Sequence, residues 1–151
     1  MNDGWLWLST LKTIASLSSI SITPAFSPGP CIMFLPFVGK VLNTDNSFCS
    51  DYKKKDIIEL PIAHNEGNYF ANDYLIKKLE DNNLIVFKYC NKEGSIEDSA
   101  NPNGSLNNIA GIISENKNIL GMMPHPERSI DPILSGEDGS LLFKSIFNHK
   151  N

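Results

Sequence analysis

Pro24, Pro28, Pro30 and Pro36 fall within thirteen residues, and they forbid a regular helix or an interior strand between Thr23 and Phe37. Each proline removes a backbone donor and fixes φ. That stretch reads as a loop. Charge changes across it: residues 1–50 hold four charged side chains (Asp3, Lys12, Lys40 and Asp45), whereas the remaining 101 hold 26. The division expected is an atypical segment over residues 1–36, diverged or out of frame, followed by one globular unit over residues 37–151. With 151 residues at 41% apolar and 20% charged, the chain can bury one sizeable core but not two independent ones.

The net charge of −4, from 13 basic and 17 acidic side chains, gives no broad cationic face for nucleic acid or for an anionic membrane. Trp5 to Phe26 is largely apolar or hydroxylic. It makes a poor export signal, because Asp3 stands where a basic flank belongs and Lys12 interrupts the run. It is also too polar to span a bilayer. Cys31, Cys49 and Cys90 are odd in number and widely spaced, with no zinc-ligand pattern, so a reducing, cytoplasmic setting is the simpler expectation.

Beyond Phe37 the pattern is that of an α/β domain. Asp56 to Ala63 is rich in aliphatic and β-branched residues and predicts a strand, which runs into the polar turn His64-Asn65-Glu66-Gly67-Asn68. Asn72 can cap a short helix carrying Leu75, Ile76 and Leu79 on one face, and Leu84 to Tyr89 predicts a second strand. Asn101-Pro102-Asn103-Gly104 is a turn signal. Ile109–Ile113 and Asn118–Met123 predict a hairpin around Ser114–Lys117. Glu137 to Lys150 predicts a closing helix with Leu142, Phe143, Ile146 and Phe147 on its apolar face and Glu137 and Asp138 in its first turn.

The sharpest chemical constellation is Pro124-His125-Pro126-Glu127-Arg128. Two prolines around one histidine prevent both helix and continued strand pairing, so the imidazole is presented on a stiff turn beyond a strand, where open α/β sheets place ligands. In an extended segment, residues i and i+2 point the same way, which lets Glu127 hydrogen-bond one ring nitrogen of His125. A carboxylate-oriented histidine supplies two members of a nucleophile, base and orienter triad. A structural turn histidine with an incidental glutamate fits these five residues equally well.

A resemblance then enters through three segments: Pro61-Ile62-Ala63-His64-Asn65-Glu66-Gly67-Asn68-Tyr69, the run from Asn101 to Ile112, and Leu120 to Arg128. In this order and spacing they resemble the glutaminase subunits of phosphoribosylformylglycinamidine synthase, class I (triad) glutamine amidotransferases of purine biosynthesis. Asn43 to Phe48 also resembles the segment ahead of the first of them. The resemblance implies the C-terminal portion of a flavodoxin-like, doubly wound α/β sheet. It also implies a reaction in which a cysteine attacks the side-chain amide of glutamine and releases ammonia. Carried over by position, His125 is then the general base and acid, Glu127 its orienter, and His64 lies in a loop beside the glutamine pocket, where it reads equally as a site residue or as a turn histidine satisfied by its neighbours. The partners implied are a large synthetase subunit, which uses ATP and magnesium, and a small accessory subunit. No cofactor or metal is expected on this chain itself.

The family's nucleophile lies on a G-x-C-x-G elbow, whose glycines let backbone amides approach the substrate. No such elbow occurs in these 151 residues; Gly29-Pro30-Cys31-Ile32-Met33 lacks the second glycine and sets a proline before the cysteine. Cys31, Cys49 and Cys90 therefore read as passive thiols. Impaired catalysis is the resulting expectation, with two rivals: a non-catalytic remnant that only binds the synthetase subunit, and a different amidotransferase or triad hydrolase using the same turn. Arg128 reads as a surface cation or an anion contact, Met122 and Met123 as core, and His149 as solvated. The Asn103–Asn108 stretch reads as a turn or as a contact loop.

Overall fold

The computed structural model describes residues 36–63, 67–133 and 136–149. His64 and Cys31, and nearly all of the segment 1–36, lie outside the described residues. Five strands form one sheet: β1 (Pro36–Val41), β2 (Ile57–Pro61), β3 (Ile85–Tyr89), β4 (Ile109–Ile113) and β5 (Leu120–Met122), in the order β2-β1-β3-β4-β5. Helix α1 (Asp73–Asp81) joins β2 to β3, and α2 (Ser140–Asn148) follows the last strand.

Every neighbouring pair in this sheet is antiparallel. The parallel, doubly wound sheet implied by the resemblance is thus not what the described residues form; they make a mixed α/β unit around an antiparallel sheet. The reason lies in the connections. Only the link from β2 to β3 contains an α-helix, the usual crossover between parallel strands. Those two strands do point the same way, but β1 occupies the place between them and runs against both.

β1 is the element that the sequence concealed. Pro36 and Phe37 belong to the strand, not to the preceding loop. Proline is tolerated there because it is the first residue of the strand. β2 was legible: Ile58 and Leu60 point inward while Ile57 and Glu59 face out. β3 and β4 are buried almost throughout, so they read as continuous apolar runs. Val86, Phe87, Tyr89, Ile109 and Ile113 centre the core, with Ile76 and Leu79 of α1 and Leu142 of α2 in the same cluster.

α1 starts where its cap predicts. Asn72 Oδ1 accepts the Leu75 N–H at 2.9 Å, which satisfies one of the helix's orphan donors. The β4–β5 hairpin also forms as expected, closed by Ser114 N–H to Ile119 O at 2.9 Å. α2 differs from expectation. It begins at Ser140 after Gly139, so Glu137 and Asp138 precede its first turn, and Phe147 is exposed while Ser145 is fully buried. Asp138 is committed elsewhere: its carboxylate accepts the Glu59 N–H at 2.7 Å and its carbonyl accepts the Tyr52 hydroxyl at 2.6 Å.

These contacts cover the outer edge of β2. Glu59 N–H is taken by Asp138, Glu59 O receives the Ser129 hydroxyl at 3.4 Å, and Pro61 O receives the His125 N–H at 2.9 Å. An uncovered strand edge invites pairing with other chains, and here His125, Ser129 and Asp138 remove that liability from β2. The sheet must curl to allow this, since β2 and β5 are its opposite edges. Two register shifts between β3 and β4, around Phe87, supply a bend of the kind that bulges produce.

A carboxylate-braced histidine where the sheet edges meet

Met122 ends β5, and the Met123 N–H still bonds Ala110 O at 2.9 Å. Pro124, fully buried, then stops the ladder. His125 follows, with its backbone N–H on Pro61 O at the end of β2. Pro126, Glu127 and Arg128 form one turn of 3-10 helix, closed by Arg128 N–H to His125 O at 3.1 Å and Ser129 N–H to Pro126 O at 3.0 Å. Proline suits the first position of such a turn because its missing N–H would have no partner there.

Within this turn His125 Nδ1 lies 2.7 Å from Glu127 Oε1. The expected pairing is present, but by another route. His125 lies outside the extended region (φ −106°, ψ 86°), and Glu127 stands inside the 3-10 turn and reaches back. Strand alternation is not what joins them. The imidazole is 16% exposed and the carboxylate 50%, so the ring is largely sheltered while its brace faces water. Arg128 Nε is 3.7 Å from the same Glu127 oxygen and therefore belongs to the turn's charge pattern. With Nδ1 committed to the carboxylate, Nε2 is the ring nitrogen suited to proton exchange with a reacting group.

The two described cysteines are poor nucleophiles. Burial pushes the Cys49 thiol up to about 12, and Cys90 is also raised by burial, so both stay protonated near neutrality. A recess beside the turn is lined by Tyr69, Ile109, Ala110, Gly121, Met122 and Met123, among others. Met122 is core, as expected, and Met123 lines the recess. Among the described residues, no three His, Cys, Asp or Glu side chains converge as metal ligands, and no helix is long and apolar enough to cross a membrane.

Asparagine networks are what sequence reading undervalued. Asn101 Oδ1 accepts the N–H groups of Asn103, Gly104 and Ser105, while its amide donates to Ser105 O at 2.7 Å. Buried Asn43 donates to Asn83 O at 2.5 Å and accepts from Asp45 N–H, and Asn46 donates to Asn43 O. The 101–108 stretch is thus a built turn. The signal for it was the clustering of Asn, Pro, Gly and Ser, which also suits a contact loop.

Comparison with known proteins bears on this geometry. A family model described as a CobB/CobQ-like glutamine amidotransferase domain matches residues 2–137. The chain is 54% identical over 110 residues to phosphoribosylformylglycinamidine synthase subunit PurQ of Pelagibacter ubique, covering 73% of this chain and 48% of that protein. The PurQ subunit of Methanocaldococcus jannaschii is 44% identical over 110 residues, with the same two coverages. Among solved structures, a chain of PurLQS from Thermotoga maritima superimposes with a TM-score of 0.61 at 32% identity, over 78% of this chain and 47% of that one. The chain spans about half the length of the relatives it matches.

Proposed function

The chain belongs to the CobB/CobQ-like glutamine amidotransferase family, and on that footing we propose that it is the C-terminal portion of a glutaminase unit that releases ammonia from glutamine for purine biosynthesis. The observation that carries this is the 2.7 Å contact between His125 Nδ1 and Glu127 Oε1, on a turn stiffened by two prolines. In the proposed reaction His125 Nε2 takes the proton of a cysteine thiol as the sulfur attacks the amide carbon of glutamine. The same nitrogen then returns the proton to the departing ammonia, leaving a glutamyl thioester that water hydrolyses. Glu127 holds the ring's tautomer and stabilises the imidazolium formed in between.

The thiol of this scheme is neither Cys49 nor Cys90, both of which burial keeps protonated. The nucleophile elbow and the parallel strands of a doubly wound domain fall, in this reading, in the part of the relatives that the chain does not span. A large synthetase subunit, with its ATP and magnesium, and a small accessory subunit are the proposed partners, in the cytoplasm. No step assigned to this chain runs through the nucleotide or the metal. The test is glutamine-dependent ammonia release after co-expression with a segment that supplies the elbow and with the two partner subunits, with His125→Ala as control. Release that depends on His125 supports the proposal.

The missing G-x-C-x-G elbow favours a second reading, a binding role without catalysis. Co-purification with the synthetase subunit but no ammonia, in either the parent chain or His125→Ala, selects that reading. Hydrolysis of other amides or esters with glutamine untouched would remove the purine assignment altogether.

A further inference from the structure

The turn that carries His125 is anchored to the end of β2, the Met123 side chain just before it packs on Gly67, and a third element grips the segment that contains Gly67. The His125 N–H bonds Pro61 O at 2.9 Å. A methyl on Gly67 would stand 2.8 Å from Met123 Cε, so the Gly67 backbone packs directly on the side chain two residues before His125. The Asn101-centred turn provides the grip. Asn103 Nδ2 donates to Gly67 O at 2.9 Å, Ser105 Oγ accepts the Tyr69 N–H at 3.0 Å, and the Leu106 N–H reaches Tyr69 O at 2.8 Å.

We propose that Asn103 is a positioning residue for the His125–Glu127 pair, acting through Gly67 and Met123. Its side chain is held at both ends, because Oδ1 accepts the Ser105 N–H at 3.1 Å while Nδ2 meets the Gly67 carbonyl. The amide is thus fixed relative to the turn and imposes that position on Gly67. Replacing the donor by a carboxylate oxygen sets two acceptors face to face, which pushes the Gly67 backbone away and leaves Met123 without its packing partner. Met123 meets Gly67 through its terminal methyl, so losing that contact frees the side chain two residues before His125 rather than pushing it. This inference rests on the reading of His125 and Glu127 as a proton-handling pair.

The test is Asn103→Asp in the full chain, an isosteric change that keeps the Ser105 contact, inverts the one to Gly67 and also changes the group facing the Tyr89 hydroxyl. Two signals are read by NMR: the His125 Nδ1–H resonance, assigned by its loss in His125→Gln, and the exchange rate of the His125 backbone amide. The ring resonance is expected to broaden or shift, and the amide to exchange about tenfold faster. The amides of Leu42 and Ile113, bonded to Val86 O and Leu84 O in the core, should keep their rates. An unchanged ring signal, or one that changes only together with the core amides, overturns the proposal. If Asn103→Asp does not fold, Ser105→Ala removes the neighbouring grip on Tyr69 and is read in the same way. Ammonia release measured on the same samples, supplied with a segment that carries the elbow and with the partner subunits, keeps the two ideas apart. A variant that loses the ring signal supports positioning even where the parent chain releases no ammonia, a result that counts against the glutaminase reading alone.

Discussion

The α-carbon of Gly139 lies so close to the carbonyl of Pro126 that any Cβ at position 139 would overlap it. The Gly139 backbone is not in a left-handed conformation (φ −70°), so close approach alone requires glycine there. Its N–H bonds Ser129 O at 2.8 Å, which locks the entry to α2 against the turn that carries Glu127. Gly139→Ala should therefore destabilise the fold by about 1–3 kcal/mol, because backbone rather than a flexible side chain must yield. Thermal denaturation checks the cost, and loss of the His125 Nδ1–H resonance checks that the displaced Pro126 carries the pair with it.

Ser145 is fully buried in α2, donating to Leu141 O at 2.8 Å and accepting the Asp51 N–H at 2.9 Å. In Ser145→Ala the Asp51 amide loses its partner, at a cost of about 1–3 kcal/mol. Urea denaturation should show a lower midpoint with an unchanged slope.

Asn72→Ala removes the cap of α1 and should cost about 1 kcal/mol. Asn72 is exposed and remote in sequence from the His125 turn, so ammonia release and the ring resonance should be unaffected. Helix content near α1, followed by amide exchange of Leu75, reports the change; a loss of the His125 signal would show coupling where none is expected.

Cys49 gives a pH dependence of definite sign. Burial raises its thiol from 9.0 to about 12, so the folded state holds this proton more tightly than the unfolded chain does. That contribution is fully present below pH 9 and is lost as the pH rises toward 12. Stability should accordingly fall above about pH 9, and Cys49→Ala should flatten the decline. Native Cys49 should also resist alkylation at pH 8 and react once urea unfolds the chain, as peptide mapping would show.

Glu127→Gln keeps a hydrogen-bonding oxygen near His125 but removes the charge that stabilises the imidazolium. If His125 works as proposed, ammonia release should fall by about 10²-fold or more, with glutamine affinity less affected. A substrate titration on the co-expressed complex separates the two effects.

The local elements were legible because each announces itself within a few residues. The Asn72 cap, the β2 alternation at Ile58 and Leu60, the Ser114–Lys117 hairpin and the prolines around His125 all follow from torsional preference and hydrophobic period. The pairing of His125 with Glu127 was legible for the same reason, since two residues separate them and any compact turn brings them together. β1 was hidden because Pro36 masks its start and because strand membership is decided by partners distant in sequence. On α2, Leu142, Phe143 and Ile146 pack on the core as expected, but Phe147 is exposed, and Asp138 ahead of the helix is held by Glu59 and Tyr52, a demand that no local pattern encodes.

The chain's own sequence therefore determined its helices, its turns and the stiff presentation of one imidazole beside one carboxylate. Tertiary structure alone decided that the sheet is antiparallel, that its edge at β2 is covered by His125, Ser129 and Asp138, and that Asn103, 36 residues along the chain from Gly67, grips the segment packed against Met123. Torsional preferences act between neighbours, whereas strand order, edge coverage and the partners of buried amides are set by whichever distant groups the collapsed chain brings within hydrogen-bonding reach.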